Sequence, residues 1–143
     1  MTKISNIQYL LSYAGTIPYL LIFIEKYFFS QIKEDIILNF LIYYSTIILV
    51  FIGSLNWNLD KKINFFIVIY GFFPSLFATI IIILNLYKFS HHYLIISIIS
   101  IFIVQLLFEF FFIYPNKNNK KPLFFLRIPL TFIIVIILVL IIS

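Results

Sequence analysis

Leu123–Ile142 reads LFFLRIPLTFIIVIILVLII, apolar throughout except for one cation, Arg127, and one hydroxyl, Thr131. An α-helix needs about 20 such residues to cross a ~30 Å hydrocarbon layer. Working back from this run, four more apolar stretches precede it, separated by short polar segments. Only helices and closed barrels satisfy every backbone group in lipid. Runs of this length, without alternation of polar and apolar residues, select the helix.

Composition agrees. Of 143 residues, 64% are hydrophobic and 10% charged, against a charged share of about 25% in water-soluble domains. A soluble fold of this size could not hide so much apolar surface. The absence of cysteine excludes disulfides, iron–sulfur clusters and thiol nucleophiles. The net charge of +5 follows from lysines in short loops. No basic helix or aromatic–basic platform stands outside the apolar runs, so nucleic acid is not an expected partner. Only Lys3 precedes the first apolar run and no small-residue cleavage site follows it, so the first span is expected to be retained.

The expectation is therefore an all-α integral membrane bundle of five transmembrane helices in one membrane domain, residues 1–143. The spans fall at about 9–24, 36–55, 63–84, 93–114 and 123–142. Loops this short make consecutive spans antiparallel neighbours. Lys3, Lys61, Lys62, Lys117, Lys120, Lys121 and Arg127 then share one face, while Lys26, Lys33 and Lys88 share the other. That asymmetry places the N-terminus inside and the C-terminus outside. Trp57, with Tyr27 and Tyr114, fits an interfacial aromatic belt.

Each span running inside to outside carries a proline: Pro18, Pro74 and Pro129. Proline removes a donor and clashes with the preceding turn, so each is an expected kink unless it occupies a first turn. Gly15–Leu20 and Gly71–Leu76 both read G-x-x-P-x-L, a weak internal echo. Asn39, Tyr43, Thr46, Gly53 and Trp57 return to one face of span two, and Gly71, Ser75 and Thr79 form a small-residue row on span three. Such rows let helices approach closely; a polar pocket is the alternative reading.

Glu109 is the one acid well inside a span, six residues before Pro115; Arg127 lies five after Pro122. At 1.5 Å per residue both sit roughly 8–9 Å below the same face. Three readings follow: an ion pair, separate snorkelling of Arg127 to lipid phosphate, or proton or ion handling by Glu109. Gln105 and Thr131, one turn from each, extend this into a candidate polar network of Glu109, Arg127, Gln105 and Thr131. His91-His92 lacks a third ligand, and no catalytic, metal or cofactor motif is present. Neither a catalytic residue nor a bound cofactor is expected.

Four segments in order, S-Y-A-G-T-I-P-Y-L at Ser12–Leu20, Y-S-T-I-I-L-V-F-I-G-S-L-N-W at Tyr44–Trp57, F-P-S-L at Phe73–Leu76 and L-R-I-P-L-T at Leu126–Thr131, together resemble a family of polytopic membrane proteins. It is the domain of unknown function thirty-four twenty-nine, the transmembrane-protein-sixty-nine-like proteins. The resemblance covers about Ser12 to Leu138. It implies a compact five-helix multi-pass protein of the bacterial inner membrane or the mitochondrial inner membrane, and brings no established activity. The positions it marks are Tyr13, Gly15, Pro18, Gly53, Trp57, Pro74, Ser75, Leu76, Arg127, Pro129 and Thr131. Ser54, Asn56 and Asn58 depart from the pattern, which usually has glycine, His or Arg, and glycine at those places.

The functional expectation is a structural, assembly or accessory protein, not an enzyme. It would act through helix–helix or lipid contacts, with membrane lipid, other membrane proteins or a second copy of itself as partners. The alternative is a small transporter or channel subunit with a polar seam that includes Glu109 and Arg127.

Overall fold

The computed structural model describes residues 10, 12–54, 65–113 and 123–143. Trp57, the departures Asn56 and Asn58, and the lysines at 3, 61, 62, 117, 120 and 121 lie outside the described residues. All elements among the described residues are helical. In chain order they are α1 (Ile17–Ile24), continued by a π turn (Glu25–Phe29); α2 (Glu34–Ser54); α3 (Phe65–Leu86); α4 (His91–Phe108), continued by a π turn (Glu109–Ile113); and α5 (Ile128–Ile142), preceded by a π turn (Leu123–Arg127). Four stretches are long and apolar enough to cross a membrane: Glu34–Ser54, Val68–Leu86, His91–Phe112 and Phe124–Ile142. The protein is thus an all-helical membrane protein.

Helix ends run past the expected span limits because polar residues close them. Glu34 and Asp35 form the first turn of α2, where acids face the positive end of the helix dipole. Asn85 lies inside α3, whose end is shaped by Lys88 in the left-handed region (φ 58°). There the Lys88 N–H donates to Asn85 O at 3.0 Å and the Phe89 N–H to Leu84 O at 3.1 Å, a Schellman closure that satisfies orphan carbonyls.

Proline behaves differently in its three settings. Pro18 sits in the first turn of α1, where the missing N–H is tolerated. Pro129 follows directly on the π turn Leu123–Arg127, so the carbonyl four residues back loses its usual donor, and Pro74 is internal to its helix. The two G-x-x-P-x-L stretches therefore differ locally: Gly15 lies in a turn before α1, and Gly71 lies within α3. The echo is one of letters, not of structure.

Residue contacts divide the chain into two compact units. The first holds α1, the second part of α4 from Phe102, and α5. Its α5 and the π turn before it bury Leu126, Leu130, Ile134, Ile137, Leu138 and Ile141 on one stripe, a spacing that returns to one helix face. Side chains of the N-terminal segment bind carbonyls at both ends of this continuous stretch. The Tyr13 hydroxyl donates to Phe125 O at 2.7 Å, the Tyr27 hydroxyl to Leu140 O at 2.6 Å, and Lys26 Nζ to Ile141 O. Tyr13–Tyr27 and Phe125–Leu140 are nearly equal lengths of chain, so the two segments run parallel. The last carbonyls of a helix have no partner within it; Lys26 and Tyr27 supply two, with the cation at the negative end of the dipole.

The second unit, Asp35–Ile101, holds most of α2, α3 and the first part of α4. Its α2 buries Ile37, Leu38, Leu41, Ile42, Ser45, Thr46, Leu49, Ile52 and Gly53, again one helical stripe. On α3 the buried row is Tyr70, Pro74, Ala78, Ile81 and Asn85. The expected packing row Gly71, Ser75, Thr79 is displaced one residue from it and is half-buried to exposed. Its hydroxyls bond back to their own helix, Ser75 Oγ to Phe72 O at 2.7 Å and Thr79 Oγ1 to Ser75 O at 2.9 Å. Close approach comes instead from Gly53. A Cβ there would lie 2.8 Å from Pro74 Cγ and 3.3 Å from Pro74 Cβ.

Candidate functional site

The four polar residues named from sequence are all buried. Gln105 and Glu109 continue the buried stripe of α4 set by Ile98 and Phe102, and Arg127 and Thr131 belong to that of α5. Spacing of four places each pair of polar residues on one side of its helix. The structure therefore brings the whole predicted network into the interior of the first unit.

Glu109 and Arg127 meet directly. Arg127 Nε donates to Glu109 Oε2 at 2.6 Å, and Arg127 Nη2 donates to Glu109 Oε1 at 2.6 Å. This is the two-pronged geometry in which a planar guanidinium matches a carboxylate. Glu109 is 1% exposed and Arg127 7%, so both charges are turned to each other inside the protein rather than to its surface. In low dielectric the attraction within such a pair is strong, and each charge offsets the other's desolvation.

The backbone on either side is π-helical. Glu109 opens one π turn and Arg127 ends the other. Such turns insert an extra residue into a helix and recur at functional sites. At Arg127 the cause is visible in sequence. Pro129 cannot donate to the carbonyl four residues earlier, Phe125 O, and that carbonyl is the one the Tyr13 hydroxyl takes at 2.7 Å. A freed carbonyl in lipid needs such a neighbour. Tyr13 was marked in one segment of the chain, and Arg127 and Pro129 in another. The fold makes them one assembly, while Thr131 extends the same buried face.

Of the remaining marked positions, Leu76 is exposed and Trp57 lies outside the described residues. Gly53 and Pro74 touch in the second unit, and Ser75 bonds within its helix. Between α2 and α3 lies an open groove of about 220 Å³ lined by Thr46, Ile47, Val50, Ala78 and Ile82. Its only polar residue, Thr46, donates to Tyr43 O at 2.8 Å, so the groove offers no converging polar groups. No group of three metal-ligating side chains occurs among the described residues.

A second polar chain was not anticipated as such. Asn85 Nδ2 donates to Asn39 Oδ1 at 2.8 Å, and Asn39 Nδ2 to Asp35 O at 2.8 Å; His91 Nδ1 lies 3.5 Å from Asp35 Oδ1. It joins the start of α2, the end of α3 and the start of α4. The available signal was that two asparagines fall where helices joined by a tight turn must meet a membrane face.

Comparison with family models, with curated proteins and with solved structures returned no match.

Proposed function

We propose that this chain is a five-span protein of an inner membrane, bacterial or mitochondrial, that works as a structural, assembly or accessory component through helix–helix and lipid contacts. The observation that carries this reading is the Glu109–Arg127 pair. The one acid and one cation placed inside the spans by sequence are joined in two hydrogen bonds and buried. A proton- or ion-handling acid needs exposure to a pathway; Glu109 has a guanidinium instead. The pair holds the second part of α4 to α5, as interhelical polar contacts do in membranes.

The fifth crossing is assigned to the N-terminal segment. α1 alone is short, yet Tyr13 meets Phe125 and Tyr27 meets Leu140, so this segment accompanies a span-length helix along its whole course. Orientation with the N-terminus inside rests on the lysine asymmetry. Membership of the transmembrane-protein-sixty-nine-like group rests on the four ordered motifs, three of whose marked residues converge on α5.

Purified protein in liposomes tests the reading against a transporter. The expected result is no ion or solute flux above empty vesicles, with specific membrane proteins or further copies of the chain recovered by gentle affinity purification from native membranes. Flux that Glu109→Gln abolishes would overturn it.

A further inference from the structure

Tyr43 sits near the middle of α2, nine residues in from Glu34 and eleven short of Ser54. Those separations are about 14 Å and about 16 Å along the axis, close to half the hydrocarbon thickness on either side. The residue is 37% exposed, and among the described residues its hydroxyl has no hydrogen-bond partner. A helical tyrosine leans toward the N-terminus by about one turn, ~5 Å. That leaves the O–H inside hydrocarbon, short of water and of lipid ester groups.

A bare hydroxyl in an apolar medium is costly, of the order of 2 kcal/mol or more. Other hydroxyls exposed on the helices avoid that cost by bonding back to their own helix. Ser97 Oγ reaches Tyr93 O at 2.9 Å, and Ser100 Oγ reaches Ile96 O at 2.9 Å. A tyrosine hydroxyl is too far from its own backbone to do the same. It needs a partner brought by another molecule at the same depth.

The face around Tyr43 suits a helix. Ile36, Phe40, Tyr43, Ile47, Phe51 and Ser54 are all exposed, at spacings of four, three, four, four and three, the pattern of a helix-pairing seam. Phe40 is held in place by stacking on Tyr44, ring centroids 5.7 Å apart and 9° from parallel.

We infer that this face of α2 binds a second copy of the chain, with the two Tyr43 hydroxyls hydrogen-bonded to each other inside the hydrocarbon layer. A two-fold axis along the membrane normal sets identical residues at identical depth. A hydroxyl both donates and accepts, so the contact completes itself without any other residue. The inference rests on the proposed role in helix contacts and names its partner.

The chain has no native cysteine, so single-cysteine variants in liposomes test the seam cleanly. Oxidation is expected to cross-link Phe40→Cys and Ile47→Cys into dimers, and to leave Val104→Cys, on the exposed side of α4, monomeric. Tyr43→Phe removes one oxygen from an exposed position, so the monomer should fold and melt as the parent does. Its dimer dissociation constant, read by fluorescence energy transfer between labelled copies, should rise about three- to twentyfold. A monomeric parent, cross-linking at Val104 instead, or an unchanged dimer in Tyr43→Phe would each overturn the inference. A monomer that still recovers other membrane proteins from native membranes would overturn the self-pairing alone and leave the assembly role standing.

Discussion

Tyr13 supplies to α5 the hydrogen bond that Pro129 cannot make. The proline lacks the N–H that would reach Phe125 O, and the Tyr13 hydroxyl donates to that oxygen at 2.7 Å. Two residues 116 positions apart in sequence thus complete one turn of helix in a medium without water to do so.

Tyr13→Phe should therefore destabilise the protein by about 1–2 kcal/mol, the cost of leaving a carbonyl unsatisfied. Pro129→Ala restores an N–H able to take Phe125 O, so the Tyr13→Phe penalty should shrink by at least half in that background. Unfolding in mixed detergent gives both values. An equal penalty in both backgrounds would mean the two residues act independently.

At Gly53 α2 comes close to Pro74 of α3. An alanine there gains helix propensity but sets its methyl 2.8 Å from Pro74 Cγ, and a proline ring on a helix cannot swing aside. Gly53→Ala should cost about 1–3 kcal/mol, measured as a lower melting temperature. Pairing it with Pro74→Ala, which removes the ring atom in the way, should recover part of the loss.

Much of this was readable in the letters. Run length and composition specified a helical membrane fold, since no other backbone satisfies itself in lipid over twenty residues. Equal depth across one loop brought Glu109 opposite Arg127, because two helices joined by a short loop share their distance from the face. Other features needed the third dimension. Gly71, Ser75 and Thr79 look like a packing row, yet the buried row is Tyr70, Pro74 and Ala78; nearly uniform hydrophobicity in lipid leaves no amphipathic signal to fix which side faces the protein. Tyr13 binding Phe125 O was hidden because a carbonyl carries no sequence identity. The first apolar run is also broken by the Gly15–Thr16 turn and a π turn at Glu25–Phe29, which hydropathy alone does not register.

Lys88 holds a left-handed conformation at φ 58°, costing a residue with a Cβ about 1 kcal/mol. Lys88→Gly should raise stability by about 0.5–1 kcal/mol, because glycine is the residue this closure ordinarily carries. Lys88→Val, branched at Cβ, should lower it by a larger amount. Thermal melts of the two variants check the sign.

The central claim is that Glu109 and Arg127 act as one structural unit. A double-mutant cycle in Glu109→Gln, Arg127→Gln and the combined variant tests it most directly, with detergent unfolding as the readout. Each single change leaves one buried charge without its counter-charge and should cost about 3 kcal/mol or more. The combined variant leaves two neutral amides able to bond each other, and should cost less than half the sum of the singles. A combined loss equal to that sum would contradict the claim.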